Sequence, residues 1–189
     1  MFKHGMIWGA LAALAVMAIG CGEVPAPAPL SPVTAPEVKS LAKPGNTDPT
    51  PTTTITPVSR RTRSVNGFGG TASKVMTSSS GGSLSYMGHS LEVSKYSFSE
   101  QQKEFYITDV SSNYIQANYG PDGWFLVPIK VTISFADANL KKGEINRLTI
   151  AWYDETLDRW VDAGGIVDQV SQTITTYVWH FTQYTLSVK

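Results

Sequence analysis

The chain has 189 residues with 15 basic and 15 acidic side chains, and its five Trp, eight Tyr and seven Phe suffice to fill one core but hardly two. Residues 1–66 carry six Lys or Arg against three Asp or Glu, leaving nine against twelve for residues 67–189. A mildly acidic domain lacks the basic cluster that neutralises phosphates, which argues against nucleic acid as a partner; a single cysteine excludes an internal disulfide framework and a thiolate zinc cluster.

At the N-terminus, Lys3, an apolar run over 6–19 and the small residues Ala18 and Gly20 read as a secretory signal peptide over 1–20. The run is shorter than the roughly 20 residues of a comfortable membrane span, and proline-rich sequence follows it directly. Ala18-Ile19-Gly20-Cys21 resembles the lipobox of bacterial lipoproteins, with Ala18 where that family most often has leucine. The resemblance implies that Cys21 is diacylated, becomes the new N-terminus and is acylated again. Two or more acyl chains give stable anchoring, at about 0.8 kcal/mol per buried methylene. The membrane is then a partner through lipid on Cys21, and Gly22 in place of an aspartate points to the outer membrane or cell surface of a Gram-negative envelope. An ordinary signal peptidase site at the same bond would instead release a soluble protein with a free thiol.

From 22 to 66 the chain holds nine of its eleven prolines and no aromatic residue, so residues 21–66 read as a lipidated cysteine followed by a disordered linker that buries no core. Prolines at 25, 27 and 29, and at 49 and 51, favour extended polyproline conformation and a reach on the order of 100 Å. Arg60, Arg61 and Arg63 read as solvated linker charge, with a membrane-surface contact or protease site as the alternative. After Gly67 the pattern changes to short β-rich runs. The predicted strands are 84–87, 90–93, 104–110, 114–119, 125–135 with a break at Pro128, 147–153, 159–162, 173–181 and 182–188. Ile129, Val131, Ile133 and Phe135 alternate, as do Ile174, Thr176 and Val178, the pattern of half-buried antiparallel strands. Residues 154–158 read as a hairpin loop and Gly120-Pro121-Asp122-Gly123 as a tight turn. The expected fold of 67–189 is an all-β antiparallel sandwich.

A series of motifs runs through this region: Gly69-Gly70-Thr71, Tyr119-Gly120-Pro121-Asp122-Gly123 leading into Phe125-Leu126-Val127-Pro128-Ile129, Ala151-Trp152-Tyr153-Asp154-Glu155 with Arg159-Trp160-Val161, Gly164-Gly165-Ile166-Val167-Asp168, and His180-Phe181-Thr182-Gln183-Tyr184. Together they resemble the ZU-five domain shared by zona occludens protein, netrin receptors and ankyrins, and especially its bacterial lipoprotein relatives. Val93-Ser94-Lys95-Tyr96-Ser97-Phe98-Ser99 departs from it, since the family has prolines and a glycine there. The resemblance implies a β-sandwich acting as an interaction or spacer module, without catalytic turnover and without a cofactor.

His180-Phe181-Thr182 is the sharpest chemical feature, because some eukaryotic members of that family cleave themselves within a His-Phe-Ser motif. Here the Thr182 hydroxyl would attack the Phe181 carbonyl, His180 would serve as base, and water would hydrolyse the resulting ester in a single turnover. On a regular strand the Cα atoms of residues 180 and 182 lie about 6.6 Å apart, so this chemistry needs a kink or a bridging water. The competing reading makes His180 and Thr182 paired polar residues on a final strand anchored by Val178, Tyr184 and Leu186. Asp154, Glu155 and Asp158, with Asp162 nearby, offer hard oxygens for calcium but lack the spacing of an established calcium loop, so solvated charge is the preferred reading. His89 and His180 are too few for zinc, and no serine, Ser90 and Ser97 included, has a nucleophile-elbow pattern around it. Trp124, Phe125, Trp152, Trp160 and Trp179 fill a sandwich core or, as the alternative, form a stacking platform for a glycan or protein. Trp124, beside the expected turn, is the one expected to be exposed and to bind.

Overall fold

The structure, a computed structural model, describes residues 54–61 and 69–189; the residues read as a signal peptide, Cys21, Arg63 and the rest of the expected linker lie outside them. The described strands are β1 (Thr56–Pro57), β2 (Thr71–Thr77), β3 (Gly82–Tyr86), β4 (His89–Val93), β5 (Gln102–Asp109), β6 (Gln116–Ser134), β7 (Leu148–Asp154), β8 (Arg159–Gly164), β9 (Ile166–Asp168) and β10 (Thr173–Val188). One 3-10 turn, Glu144–Arg147, precedes β7. All strand pairings are antiparallel, in the order β2-β5-β6-β10-β7-β8, with β4 and β3 added beside β6 and with β1 and β9 beside β10.

Two long strands make this network double back on itself. The first half of β6 pairs with β5 through Ala117–Gly120, while its second half pairs with β4 through Lys130–Ile133. His89 of β4 lies opposite Ile133, yet its Nδ1 is 3.0 Å from the hydroxyl of Tyr119 in the first half of the same long strand. Fourteen straight strand residues would hold Tyr119 and Ile133 on the order of 45 Å apart, so β6 must bend sharply and bring its halves face to face. The all-β, antiparallel class expected from the sequence is what is observed, with a core between the two halves. Phe105, Tyr119, Phe125, Ile129, Val131, Ile133, Ile150, Ile174, Phe181, Tyr184 and Leu186 are all buried there. Each contributes on the order of 2 kcal/mol by leaving water.

Strand β10 bends for a reason visible in its burial. Ile174, Thr176 and Val178 face inward at period two, but the next inward residues, Phe181 and Tyr184, come at intervals of three. A flat strand would turn one of each successive pair to the other face. The pairing with β6 slips between Val178 and His180 and again between Phe181 and Gln183, and these bulges restore Phe181 and Tyr184 to the core. Phe181 then packs on Phe105, Tyr119 and Phe125 with ring centroids 6.2, 5.8 and 4.7 Å away.

Several expectations are corrected. Gly120-Pro121-Asp122-Gly123 is not a turn but the middle of β6, because Gly123 and Trp124 stay paired with Phe181 and His180 of β10 and carry the strand through. Gly120 serves close approach instead: a Cβ there would stand 1.9 Å from Cζ of Tyr106, its cross-strand partner. The expected break at Pro128 is likewise absent. β5 leaves β6 at Gly120 and β4 joins at Lys130, so Pro128 sits on a stretch where the missing N–H interrupts no ladder on that side. The strands expected at 173–181 and 182–188 are one strand, and β1, β2 and β9 were not expected at all. The loop at 154–158 does join a hairpin, with Asp154 Oδ1 accepting from the N–H groups of Thr156 and Leu157.

The linker reading is also revised over residues 54–61. Thr56 and Pro57 pair with Val188 and Ser187, and Val58 is buried, its N–H donating to Leu186 and its carbonyl accepting from Ile115. Arg60 is not solvated charge. Its guanidinium forms a 2.8 Å ion pair with Asp109, whose side chain is fully buried, and donates through Nε to the Tyr114 carbonyl.

Candidate functional site

The slipped register that buries Phe181 also places His180 directly across from Trp124. The imidazole lies between two indoles, 5.0 Å from Trp124 and 4.8 Å from Trp152 between ring centroids. Trp152 comes from β7, which pairs with β10 through Tyr184. Tyr184 in turn donates from its hydroxyl to the His180 carbonyl at 2.6 Å, tying the bulged segment to the core. Three strands thus deliver one aromatic group each to a single place.

Around this group opens a cleft of about 520 Å³, lined by Trp124, Trp152, Trp179 and His180 together with Asp154 and Glu155 from the hairpin loop. Trp124 is 58% exposed, as expected, although it stands on a strand rather than at a turn. Leu126, 65% exposed, extends the apolar surface along β6. A smaller depression of about 280 Å³ adjoins the cleft through shared Tyr153, Glu155 and Thr182. The indole N–H of Trp152 is buried without a hydrogen-bond partner.

Electrostatically the cleft is acidic. Burial lowers the His180 pKa below the usual histidine value, while a hydrogen bond to the Phe181 backbone and the charge of Asp154 pull it partly back. The imidazole is therefore neutral near pH 7, and among the described residues no Lys or Arg lines the cleft. The Thr182 hydroxyl donates to the Tyr153 carbonyl at 3.3 Å. His180, Phe181 and Thr182 therefore share the cleft wall, with Phe181 itself anchored in the core.

The calcium candidates are not gathered into a site. Asp154 caps the hairpin loop, Asp158 accepts from the Tyr153 hydroxyl, and Asp162 binds Lys189, Thr149 and the Gly164 N–H. Among the described residues no group of three or more His, Cys, Asp or Glu side chains is placed to hold a metal ion. The Ser97 hydroxyl donates to the Ser94 carbonyl.

Sequence reasoning grouped Trp152 and Trp179 with Trp124 as a candidate platform, together with Trp160 and Phe125, but could not say which of them meet, and it did not place His180 among them. The only signal was that three aromatic-rich segments each carry a tryptophan; which of them meet depends on strand register. Fold and cleft together define an antiparallel β-domain with an aromatic, acidic cleft. No protein-family model matches the chain, and no curated protein matches it.

Proposed function

We propose that this protein is a lipid-anchored, non-catalytic binding module of the bacterial cell envelope, related to the ZU-five domain, with the Trp124–Trp152–His180 cleft as its binding site. The observation that carries the reading is the exposed Trp124 ring over a concave aromatic wall, an arrangement that leaves a large apolar face in water. The lipobox and proline-rich tether support presentation from a membrane. Intact mass of the protein purified from a bacterial host tests the anchor: the expected species begins at Cys21 with acyl chains attached, and an unmodified chain would remove the membrane from the reading. In a Cys21→Ser background, which removes the lipid anchor, substituting Trp124→Ala is expected to abolish retention of the protein on envelope fractions while shifting the melting temperature by less than about 2 °C, as for an exposed side chain outside the core. Unchanged retention would rule out the cleft.

Self-cleavage between Phe181 and Thr182 is the second reading, favoured by one observation. The strand slips on both sides of the His180-Phe181 pair, which is the kink that a regular strand lacks. The same mass spectrum decides it, since cleavage yields an eight-residue peptide, residues 182–189.

A further inference from the structure

Resting on the reading of the cleft as the binding site, we propose that it takes an organic cation of the alkylated-ammonium class. Side chains of Trp124, Trp152, Trp179 and His180 line the cleft, and among the described residues its charged lining is Asp154 and Glu155, with no lysine or arginine. An ammonium whose charge is spread over alkyl groups is attracted to the electron-rich face of an indole and requires no hydrogen-bond donor from the protein. A saccharide needs donors as well as acceptors for its hydroxyls. Among the cleft's donors, the Thr182 hydroxyl is committed to the Tyr153 carbonyl and the Trp152 N–H is buried, which leaves fewer to meet a saccharide's hydroxyls.

The two carboxylates are held on the same hairpin. Asp154 is fixed by the N–H groups of Thr156 and Leu157 on its Oδ1, so the loop is set before any ligand arrives. The neutral imidazole of His180 adds no positive charge that would repel a cation. A volume of about 520 Å³ accommodates a choline-sized group without reorganisation of the core behind Phe181.

The test uses the full-length chain, with tryptophan fluorescence and calorimetry as readouts and choline, tetramethylammonium and the neutral carbon isostere dimethylbutanol as probes. Choline and tetramethylammonium are expected to bind, with dimethylbutanol weaker by at least about tenfold. Trp124→Ala is expected to cost about tenfold in choline affinity, and the double substitution Asp154→Asn, Glu155→Gln about three- to tenfold, with the loss in the carboxylate variant shrinking as salt is raised. Asn retains the side-chain oxygen that caps the loop, so that variant keeps the fold. Phosphatidylcholine vesicles distinguish a headgroup from a free small molecule as the source of the cation. Equal binding of choline and dimethylbutanol would overturn the charge argument. Binding of chitobiose or methyl glucoside, sensitive to Trp124→Ala, with none of choline would overturn the cation and leave the cleft as the binding site. No response to any probe, with envelope retention of the Cys21→Ser protein also unaffected by Trp124→Ala, would overturn both.

Discussion

Lowering the pH from 7 to 4.5 is expected to destabilise the domain by about 2 to 3 kcal/mol, chiefly through one buried imidazole. His89 is 1% exposed; burial first, and the positive charge of Arg60 second, lower its pKa to about 3. The unfolded chain takes up a proton near the ordinary value of 6.5, whereas the folded chain refuses it until about pH 3. Between these values the unfolded state binds more protons, so stability is complete above about pH 6.5 and falls as the pH drops toward 3. His180, also lowered, adds to the same slope. Asp162 acts in a lower window. Burial pushes its carboxyl up, but hydrogen bonds from Lys189, Thr149 and the Gly164 N–H outweigh this and hold it below its usual value of 3.8. Its contribution is present above the unfolded value and is lost only as the pH falls through the folded one. Urea unfolding of wild type and His89→Gln at a series of pH values checks the assignment: the variant should be less stable at pH 7 but lose most of the slope between pH 6.5 and 4.5. An unchanged slope would acquit His89.

Removing one partner of the Arg60–Asp109 pair is expected to cost about 3 to 5 kcal/mol, because it strands a desolvated charge. Both side chains are nearly inaccessible, 6% for Arg60 and 0% for Asp109, so this is not a screened surface pair. Asp109→Ala and Arg60→Met should each lower stability by this amount in denaturant unfolding at neutral pH. The double variant Arg60→Met, Asp109→Leu should recover much of the loss, since neither charge then remains buried. Additive losses would show that the two side chains act separately. Arg60 lies just after β1, so the pair ties this segment to β5 as β1 ties it to β10.

How far the sequence could be read follows from what range of interaction each feature depends on. The alternation in 129–135 and 174–178 is local, and those residues are buried on one face as expected. The residue types of Gly120-Pro121-Asp122-Gly123 are equally local, but they misled, because pairing with a strand some sixty residues away outweighs the turn preference. β2 escaped notice since Thr71–Thr77 buries only Met76 fully and lacks an apolar alternation. Residues 54–61 escaped for the same reason. A segment poor in apolar residues needs only Val58 to enter the core, with β10 supplying backbone partners and Asp109 supplying charge.

The sequence by itself determined the β class and the hydrophobic faces of the regular strands, since each depends on neighbours a few residues apart; the exposure of Trp124 was expected from a turn that does not form, and its place on β6 decides it. Only the tertiary structure decided that His180 sits between Trp124 and Trp152. Two bulges in β10 set that register, and the bulges exist because Val178, Phe181 and Tyr184 must all enter one core at a spacing that a straight strand cannot satisfy.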